Sequence, residues 1–355
     1  MRQICKVVVN GEEFSANCGD LLLDAALMNG VDIPHDCRSG YCGTCRVNVV
    51  SGRVFGGQDG SPNMAHACQC RVISDLTIEI EDIPETATET GRVVDLVRLA
   101  PDVGEVSIAM PHPADYLPGQ HYNVQFRDFP ARCYSPTLPL EGPHDATVLR
   151  FHVRRVPNGR VSSALGREIR VGHRVKLTGP LGTAYLRPDH PDRVLLVASG
   201  TGFAPLWSVA VAAIAERRDR EMVFVVGART LRSLYMVRAL CRLAAFPNVT
   251  IIPVVSETQT LSNAVRTGRP TDHMPTLSSS DVIYAAGAPV MVESVARMAR
   301  AAGAKCYTDP FAPENAASEQ RSFLARATAW FGSDSPPPVP DMARSMQAYY
   351  DREAV

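Results

Sequence analysis

The chain has 355 residues, 36 basic and 37 acidic side chains, 45% hydrophobic and 21% charged content, and a mean hydropathy of −0.05. These are globular values for a chain long enough to hold two or three domains, and they exclude a disordered or fibrous protein. A net charge of −1 gives no electrostatic reason to expect a nucleic-acid or membrane-surface binder. That neutrality is composite: residues 1–85 carry six basic and twelve acidic side chains, a module of −6 ahead of 270 residues of +5. Ten cysteines stand out, because Cys37, Cys42, Cys45, Cys68 and Cys70 fall within 34 consecutive residues. No charged segment followed by an apolar core opens the sequence, so a secreted disulfide scaffold is not expected. The cytoplasm is the expected compartment, and clustered thiolates there point to metal.

In chain order, Cys5–Val9 alternates and Asn10-Gly11 signals a type I′ turn, with Glu13-Phe14-Ser15 returning as a hairpin. Asp20 is the expected cap of a helix over Leu21–Asn29 that ends at Gly30. Arg46–Val50 and Leu76–Ile80 read as strands, and Pro84 with the polar run ETATETG reads as a linker. Short β-rich runs at Val106–Met110, His121–Phe126, Val148–Val153 and Val175–Leu177 predict an antiparallel barrel. After Asp192 the pattern becomes strand–loop–helix. Strands are expected at Val194–Val197, Met222–Val226, Val249–Val254 and Val282–Ala285, and helices at Trp207–Ala215, Ser233–Ala244 and Val290–Ala302. That alternation predicts a doubly wound parallel sheet. Ser199, Gly200, Thr201, Gly202, Pro205 and Ser208 interrupt the apolar stretch from Val194 to Ala215, which argues against a membrane span. Beyond residue 313 the chain is polar, with a short helix expected at Arg321–Phe331 before Pro336-Pro337-Pro338.

Cys37, Cys42 and Cys45 have the C-x4-C-x2-C spacing of plant-type [2Fe–2S] sites. Three thiolates converge from one loop, with Gly40 and Gly43 permitting tight turns beside the sulfides. Paired C-x2–4-C knuckles would be expected of structural zinc, so this run favours iron and sulfide. A fourth thiolate comes from elsewhere, and Cys68 and Cys70 are both available. Here the sequence resembles a plant-type ferredoxin. The resemblance implies a β-grasp fold for residues 1–85 and, through Ala67-Cys68-Gln69-Cys70 ahead of Ser74-Asp75, selects Cys68 as ligand and leaves Cys70 in the core.

Arg132-Cys133-Tyr134-Ser135 resembles the R-x-Y-S motif of ferredoxin–NADP reductase-like flavoproteins. The resemblance implies an antiparallel β-barrel FAD domain, with Arg132 on the pyrophosphate, Tyr134 stacked on the isoalloxazine and Ser135 at its reactive edge. Gly159-Arg160-Val161-Ser162-Ser163 is similar to the family's pyrophosphate segment, where Gly159, Val161, Ser162 and Ser163 are expected at a helix start. An ordinary helix cap at Ser162 or Ser163 is the competing reading.

Ser199-Gly200-Thr201-Gly202-Phe203-Ala204-Pro205 follows an apolar strand and precedes an apolar helix, the context of a phosphate-cradling loop. It resembles the family's G-T-G-x-x-P loop, assigning Gly200, Thr201, Gly202 and Pro205 to NAD(P). Gly227 and Arg229 match the ribose-side strand end. Gly287, Pro289 and Met291 match the family's C-G-x-P-x-M segment, in which Ala286 stands for the usual cysteine. Asp309-Pro310-Phe311 matches the segment whose aromatic covers the second flavin face. Tyr134, Ser135, Thr201 and Phe311 are therefore expected at the reacting rings.

The ordered motifs resemble single-chain reductases of bacterial oxygenases, naphthalene-dioxygenase-type reductases above all. The fold so implied joins α+β and α/β parts: a ferredoxin domain (1–85), an FAD barrel (86–190), an NAD(P) domain (191–313) and a polar tail (314–355). The implied activity passes electrons from NADH, with NADPH open, through FAD to the [2Fe–2S] cluster and on to a Rieske ferredoxin or terminal oxygenase. A diiron monooxygenase, a cytochrome P450 or a deoxysugar dehydratase is the alternative acceptor. A redox-sensing module without turnover is the competing class.

Overall fold

A computed structural model describes residues 3–35, 38, 40, 44–58, 63–80, 86–142, 144–187, 193–257 and 264–311. Cys37, Cys42, Gly43, the start of the linker and everything expected beyond residue 311 lie outside them.

The first module contains β1 (Ile4–Val9), β2 (Glu12–Asn17), α1 (Leu22–Met28), β3 (Arg46–Ser51), β4 (Val54–Phe55), β5 (Met64–His66), β6 (Arg71–Val72) and β7 (Leu76–Glu79). Five of these strands form a mixed sheet in the order β2-β1-β7-β3-β5, with β4 and β6 paired separately. Asn10 and Gly11 take positive φ values of 46° and 92°, as the type I′ turn requires. α1 buries Leu22, Leu23, Ala25 and Ala26 against the sheet. Asp20 does not cap it. Its carboxylate accepts from the backbone and side-chain nitrogens of Asn17, both at 3.0 Å, and the cap position falls to Leu21. A residue that can cap a helix can equally close the turn before it.

The second module is antiparallel, with β8 (Ala87–Ala100), β9 (Val103–Ala109), β10 (His121–Phe126), β11 (Arg132–Tyr134), β12 (Val148–Arg154) and β13 (Arg174–Leu181) in the order β11-β10-β13-β8-β9-β12. The sheet curls shut. Its two end strands meet where Pro136 bridges Phe151 and Thr137 N–H donates to Arg150 O at 2.8 Å. The run read as a linker belongs to this barrel. Ala87–Gly91 begins the fourteen-residue β8, and Thr88 Oγ1 meets Thr178 Oγ1 of β13 at 2.9 Å. Alternating threonines are polar by composition yet suit a pleated, half-exposed strand.

The third module has β14 (Val194–Ser199), α2 (Phe203–Glu216), β15 (Met222–Ala228), α3 (Val237–Leu243), β16 (Val249–Val255), β17 (Arg266–Thr267), β18 (Val282–Gly287), α4 (Pro289–Ala302) and β19 (Lys305–Pro310). Its parallel sheet runs β17-β16-β15-β14-β18-β19, so the winding direction reverses between β14 and β18. The helix expected over Ser233–Ala244 is instead a 3-10 turn at Leu231–Ser233 and the short α3, because Met236 adopts left-handed φ of 61°. α2 is longer than expected, and eleven of its fourteen residues are buried. Phe203 stacks on Trp207 at 5.5 Å and on Phe224 at 5.6 Å. Such rings contribute about 1.5–3 kcal/mol each through burial alone. No helix among the described residues is long and apolar enough to cross a membrane.

Candidate functional site

Cys45 directly precedes β3 and Cys68 follows β5, two strands paired through Arg46 and His66. That register brings the two Sγ atoms to 3.2 Å at 1% and 5% exposure, and neither residue is in a disulfide. Gln69 Nε2 donates to Arg38 O at 2.8 Å and lies 3.8 Å from Cys68 Sγ, tying the ligand loop to the second thiol. Two soft sulfur donors converging in a buried pocket fit an iron–sulfur group. Cys70 is packed elsewhere. It is fully buried in the module core, and burial pushes its thiol up to about 12, which opposes the thiolate form a metal needs. Gly57 packs against it so closely that an added Cβ would lie 2.8 Å from Cys70 N.

Arg132 and Tyr134 alternate on β11 and so share one face, while Cys133 points the other way, exposed, with Sγ 3.5 Å from Asn123 Oδ1. Arg132 Nη1 donates to Ala131 O at 2.7 Å, the Tyr134 ring lies 6.4 Å from Phe151, and Ser135 is buried. Residues 159–164 form successive turns rather than a helix start. Val156 N–H donates to Ser162 Oγ at 3.1 Å, and Ser163 Oγ donates to Val156 O at 3.4 Å. These bonds compact the segment, since Gly159 could not carry a Cβ without approaching Ser162 Oγ to 2.4 Å. Val161 is a core residue of the barrel. A groove of about 420 Å³ beside the turns is lined by Arg155, Gly159, Arg160, Ser163 and Arg167, among others. Three arginines against the one carboxylate of Glu168 give the groove a positive balance that suits a pyrophosphate, so the residues present fit FAD through side chains where a helix dipole was expected.

The carboxyl ends of β14 and β18 form the crevice expected of a doubly wound sheet. Gly200 takes a left-handed φ of 55°, and the nearest heavy atom to an added Cβ is Arg154 Nη1 at 3.5 Å, so its face stays accessible. Gly202 is needed for contact: a Cβ there would lie 2.2 Å from Ala286 O. Ser199 Oγ accepts from Ala288 N–H at 2.8 Å and locks the loop to the start of α4, where Pro289 is the first helical residue. Thr201 is half-buried in the 3-10 turn, and Pro205 is buried in the first turn of α2, where no intrahelical N–H is required of it. This narrow, glycine-lined crevice fits a dinucleotide. Gly227 is a packing glycine, because the Pro270 ring would be 2.3 Å from its Cβ; Met291 lies in the core beneath the sheet. Arg229, just past β15, is half-buried.

Phe311 is 38% exposed, with its N–H donating to Gly287 O at 2.8 Å, which places the aromatic at the mouth of the crevice. The flavin segment and the dinucleotide loop meet through α2: Ser208 Oγ donates to Pro136 O at 2.6 Å and Trp207 Nε1 donates to Leu138 O at 2.9 Å. Sequence reading missed two residues here. Arg154 ends β12 and reaches Gly200 while bonding Asp102 at 3.1 Å. Asp309 has a buried Oδ2 without a hydrogen-bond partner among the described residues; burial raises its carboxyl, partly offset by the His121 ring. Arg154 stands in no local pattern that marks it, and Asp309 opens the segment singled out for Phe311 without a role of its own being assigned to it.

Three family descriptions match in series: a "2Fe-2S iron-sulfur cluster binding domain" over residues 7–72, an "Oxidoreductase FAD-binding domain" over 90–185 and an "Oxidoreductase NAD-binding domain" over 196–297. The chain is 33% identical over 323 residues to the naphthalene 1,2-dioxygenase system ferredoxin–NAD(P)+ reductase component of Pseudomonas putida, covering 84% of this chain and 95% of that one. It is 35% identical over 320 residues, with the same coverage, to a reductase component of naphthalene 1,2-dioxygenase/salicylate 5-hydroxylase systems from a Ralstonia species. Among solved structures, the Amycolatopsis cytochrome P450 reductase GcoB is 30% identical, covers 87% of this chain and 99% of its own, and superposes with a TM-score of 0.64. With soft thiols in the first module, an arginine-lined groove in the second and a glycine crevice in the third, the chain belongs to the ferredoxin–NAD(P)+ reductase family, oxidoreductases that pass electrons from NAD(P)H through FAD to a [2Fe–2S] cluster.

Proposed function

We propose that this reductase supplies an aromatic-ring-hydroxylating Rieske dioxygenase in the cytoplasm, through a Rieske ferredoxin or the terminal oxygenase itself. The observation that carries its electron-transfer geometry is the α2 bridge, by which Ser208 and Trp207 hold the flavin segment against the helix that follows the dinucleotide loop. FAD, when bound, would supply the conversion of a two-electron donor into single electrons, and a [2Fe–2S] cluster would supply a one-electron centre. The chain's own residues position and shield. Arg132, with the groove arginines, Ser162 and Ser163, neutralises and seats the flavin pyrophosphate. Tyr134 orients one face of the ring, Phe311 covers the other, and Ser135 offers a hydroxyl at its edge. Gly200, Thr201 and Gly202 seat the nicotinamide dinucleotide between β14 and β18, and the Phe203–Trp207 stack keeps water from the floor. Cys37, Cys42, Cys45 and Cys68 hold iron. The division of labour follows residues 1–85, 86–190 and 191–313.

The dioxygenase systems named for the two reductases above support this acceptor. The P450 reductase structure favours a second one, a cytochrome P450. Anaerobic NADH should bleach the flavin and cluster bands of the holoprotein together. Reconstitution with a Rieske ferredoxin and dioxygenase, against a P450 and a diiron monooxygenase, then separates the acceptors. Turnover with the P450 alone overturns the dioxygenase assignment.

A further inference from the structure

Tyr185 and Arg187 lie on the segment leaving the barrel, Tyr307 lies on β19, and Arg46 follows Cys45 at the start of β3. These residues come from three different modules and stack together. The Arg187 guanidinium lies 3.6 Å from the Tyr185 ring centre and 4.2 Å from that of Tyr307. Arg46 lies 5.8 Å from the same Tyr307 ring, which also stacks on Tyr284 at 5.3 Å. The stack is anchored to the backbone on both sides. Arg187 N–H donates to Tyr284 Oη at 3.0 Å, and Arg187 Nη2 donates to Thr183 O at 3.0 Å. Tyr284 is fully buried in the parallel sheet, so its ring is a fixed platform. Cationic guanidinium groups over ring faces attract most strongly when desolvated, and Arg187 is half-buried here.

Resting on the electron-transfer reading above, we infer that Tyr307 and Arg187 are positioning residues for cluster reduction: their stack holds Arg46, and with it the Cys45 edge of the iron–sulfur module, against the two nucleotide modules. The geometry links both ends of the path. Cys45 adjoins Arg46 in the chain, and Tyr307 lies four residues before Phe311 on the strand that reaches the crevice mouth. The stack is built from Tyr185, Arg187, Tyr307 and Arg46, none of which belongs to the dinucleotide loop, so losing it should leave flavin reduction intact while the cluster moves away from its donor. Electron transfer between fixed centres falls steeply with distance, so a small displacement suffices.

The test uses the full-length holoprotein with Tyr307→Leu, Tyr307→Phe and Arg46→Gln. Stopped-flow NADH reduction separates flavin bleaching from cluster bleaching, and small-angle X-ray scattering reports the radius of gyration without any turnover. Tyr307→Leu should slow cluster bleaching at least about tenfold, as misplacement on the ångström scale does, leave flavin bleaching within about twofold, and enlarge the radius of gyration. Arg46→Gln should act in the same direction, more weakly, and Tyr307→Phe should behave as wild type. Unchanged cluster bleaching and unchanged scattering in both Tyr307→Leu and Arg46→Gln overturn the inference, as does an equal slowing of both steps. If Tyr307→Leu does not fold, Arg46→Gln decides alone. Absence of bleaching in the wild-type holoprotein would contradict the electron-transfer reading instead, and scattering then judges the stack separately.

Discussion

Replacing Gly202 by alanine tests the crevice at its tightest point. Gly202 has φ −58° and ψ −10°, a conformation alanine adopts freely, so any effect is steric. The added Cβ would lie 2.2 Å from Ala286 O, 2.3 Å from Ala286 C and 2.5 Å from Gly287 N, all backbone atoms of the β18 end. Relief to ordinary contact requires the loop and β18 to part by roughly 1 Å, and a packed interior resists such movement. Overpacking of this kind costs ~1–3 kcal/mol. At about 2–4 °C per kcal/mol for a chain this large, that lowers the melting temperature by ~2–12 °C. The same displacement misplaces the dinucleotide, raising KM for NADH or lowering kcat by ~10–100-fold. Gly200→Ala is the control. Its Cβ meets only Arg154 Nη1, at an ordinary contact distance of 3.5 Å, so it carries the left-handed strain of ~1–2 kcal/mol without forcing the strands apart. Thermal melts by circular dichroism and steady-state NADH kinetics on holoprotein measure both. A Gly202→Ala protein melting within about 1 °C of wild type, with unchanged NADH kinetics, would refute the packing argument.

Cys68→Ser should lose iron and acid-labile sulfide. Cys70→Ser should retain both but melt lower, having buried a hydroxyl at a cost of ~1–3 kcal/mol; the reverse metal contents would move the ligand to Cys70. Arg193 grips Asp281 through Nε at 3.0 Å and Nη2 at 2.8 Å, so Arg193→Met strands a buried carboxylate and should cost ~3–5 kcal/mol in urea melts. Burial alone would raise the Asp281 carboxyl, but hydrogen bonds from Arg193 and Ser278 N–H, with the Arg193 charge, hold it below its ordinary 3.8. A carboxyl depressed by folding contributes stability that is present above pH 3.8 and lost as pH falls through the folded value. Acid titration of Asp281→Asn should therefore lack that component of the wild-type transition. NADH should outperform NADPH in kcat/KM, and Arg229→Ala should depress the NADPH reaction further while sparing NADH, since a guanidinium there serves a 2′-phosphate.

The cysteine run, the Asn10-Gly11 hairpin and the strand–glycine loop–helix from Val194 to Glu216 were legible in the sequence. Each is written by neighbouring residues: a ligand spacing, a turn pair with positive φ, an apolar run broken by glycine. The family motifs could be recognised for the same reason. Where meaning depends on which of several partners a residue takes, local reading failed. ETATETG looks like a linker until Thr178 stands opposite Thr88, and Asp20 looks like a cap until Asn17 claims its carboxylate. GRVSS suits a helix start until Val156 takes up its hydroxyls. Gly227 and Met291 keep the family's residue types, and the structure adds what packs beside them, Pro270 and the core. The pairing of Cys68 with Cys45, the reach of Arg154 to Gly200, and the Arg187–Tyr307–Arg46 stack join residues 23 to 261 positions apart. The sequence alone therefore determined which chemistries the chain carries, because ligand spacing and turn preference act over a few residues. Tertiary structure alone decided how those chemistries face one another, because strand register and module contact are set by packing between segments that share no local pattern.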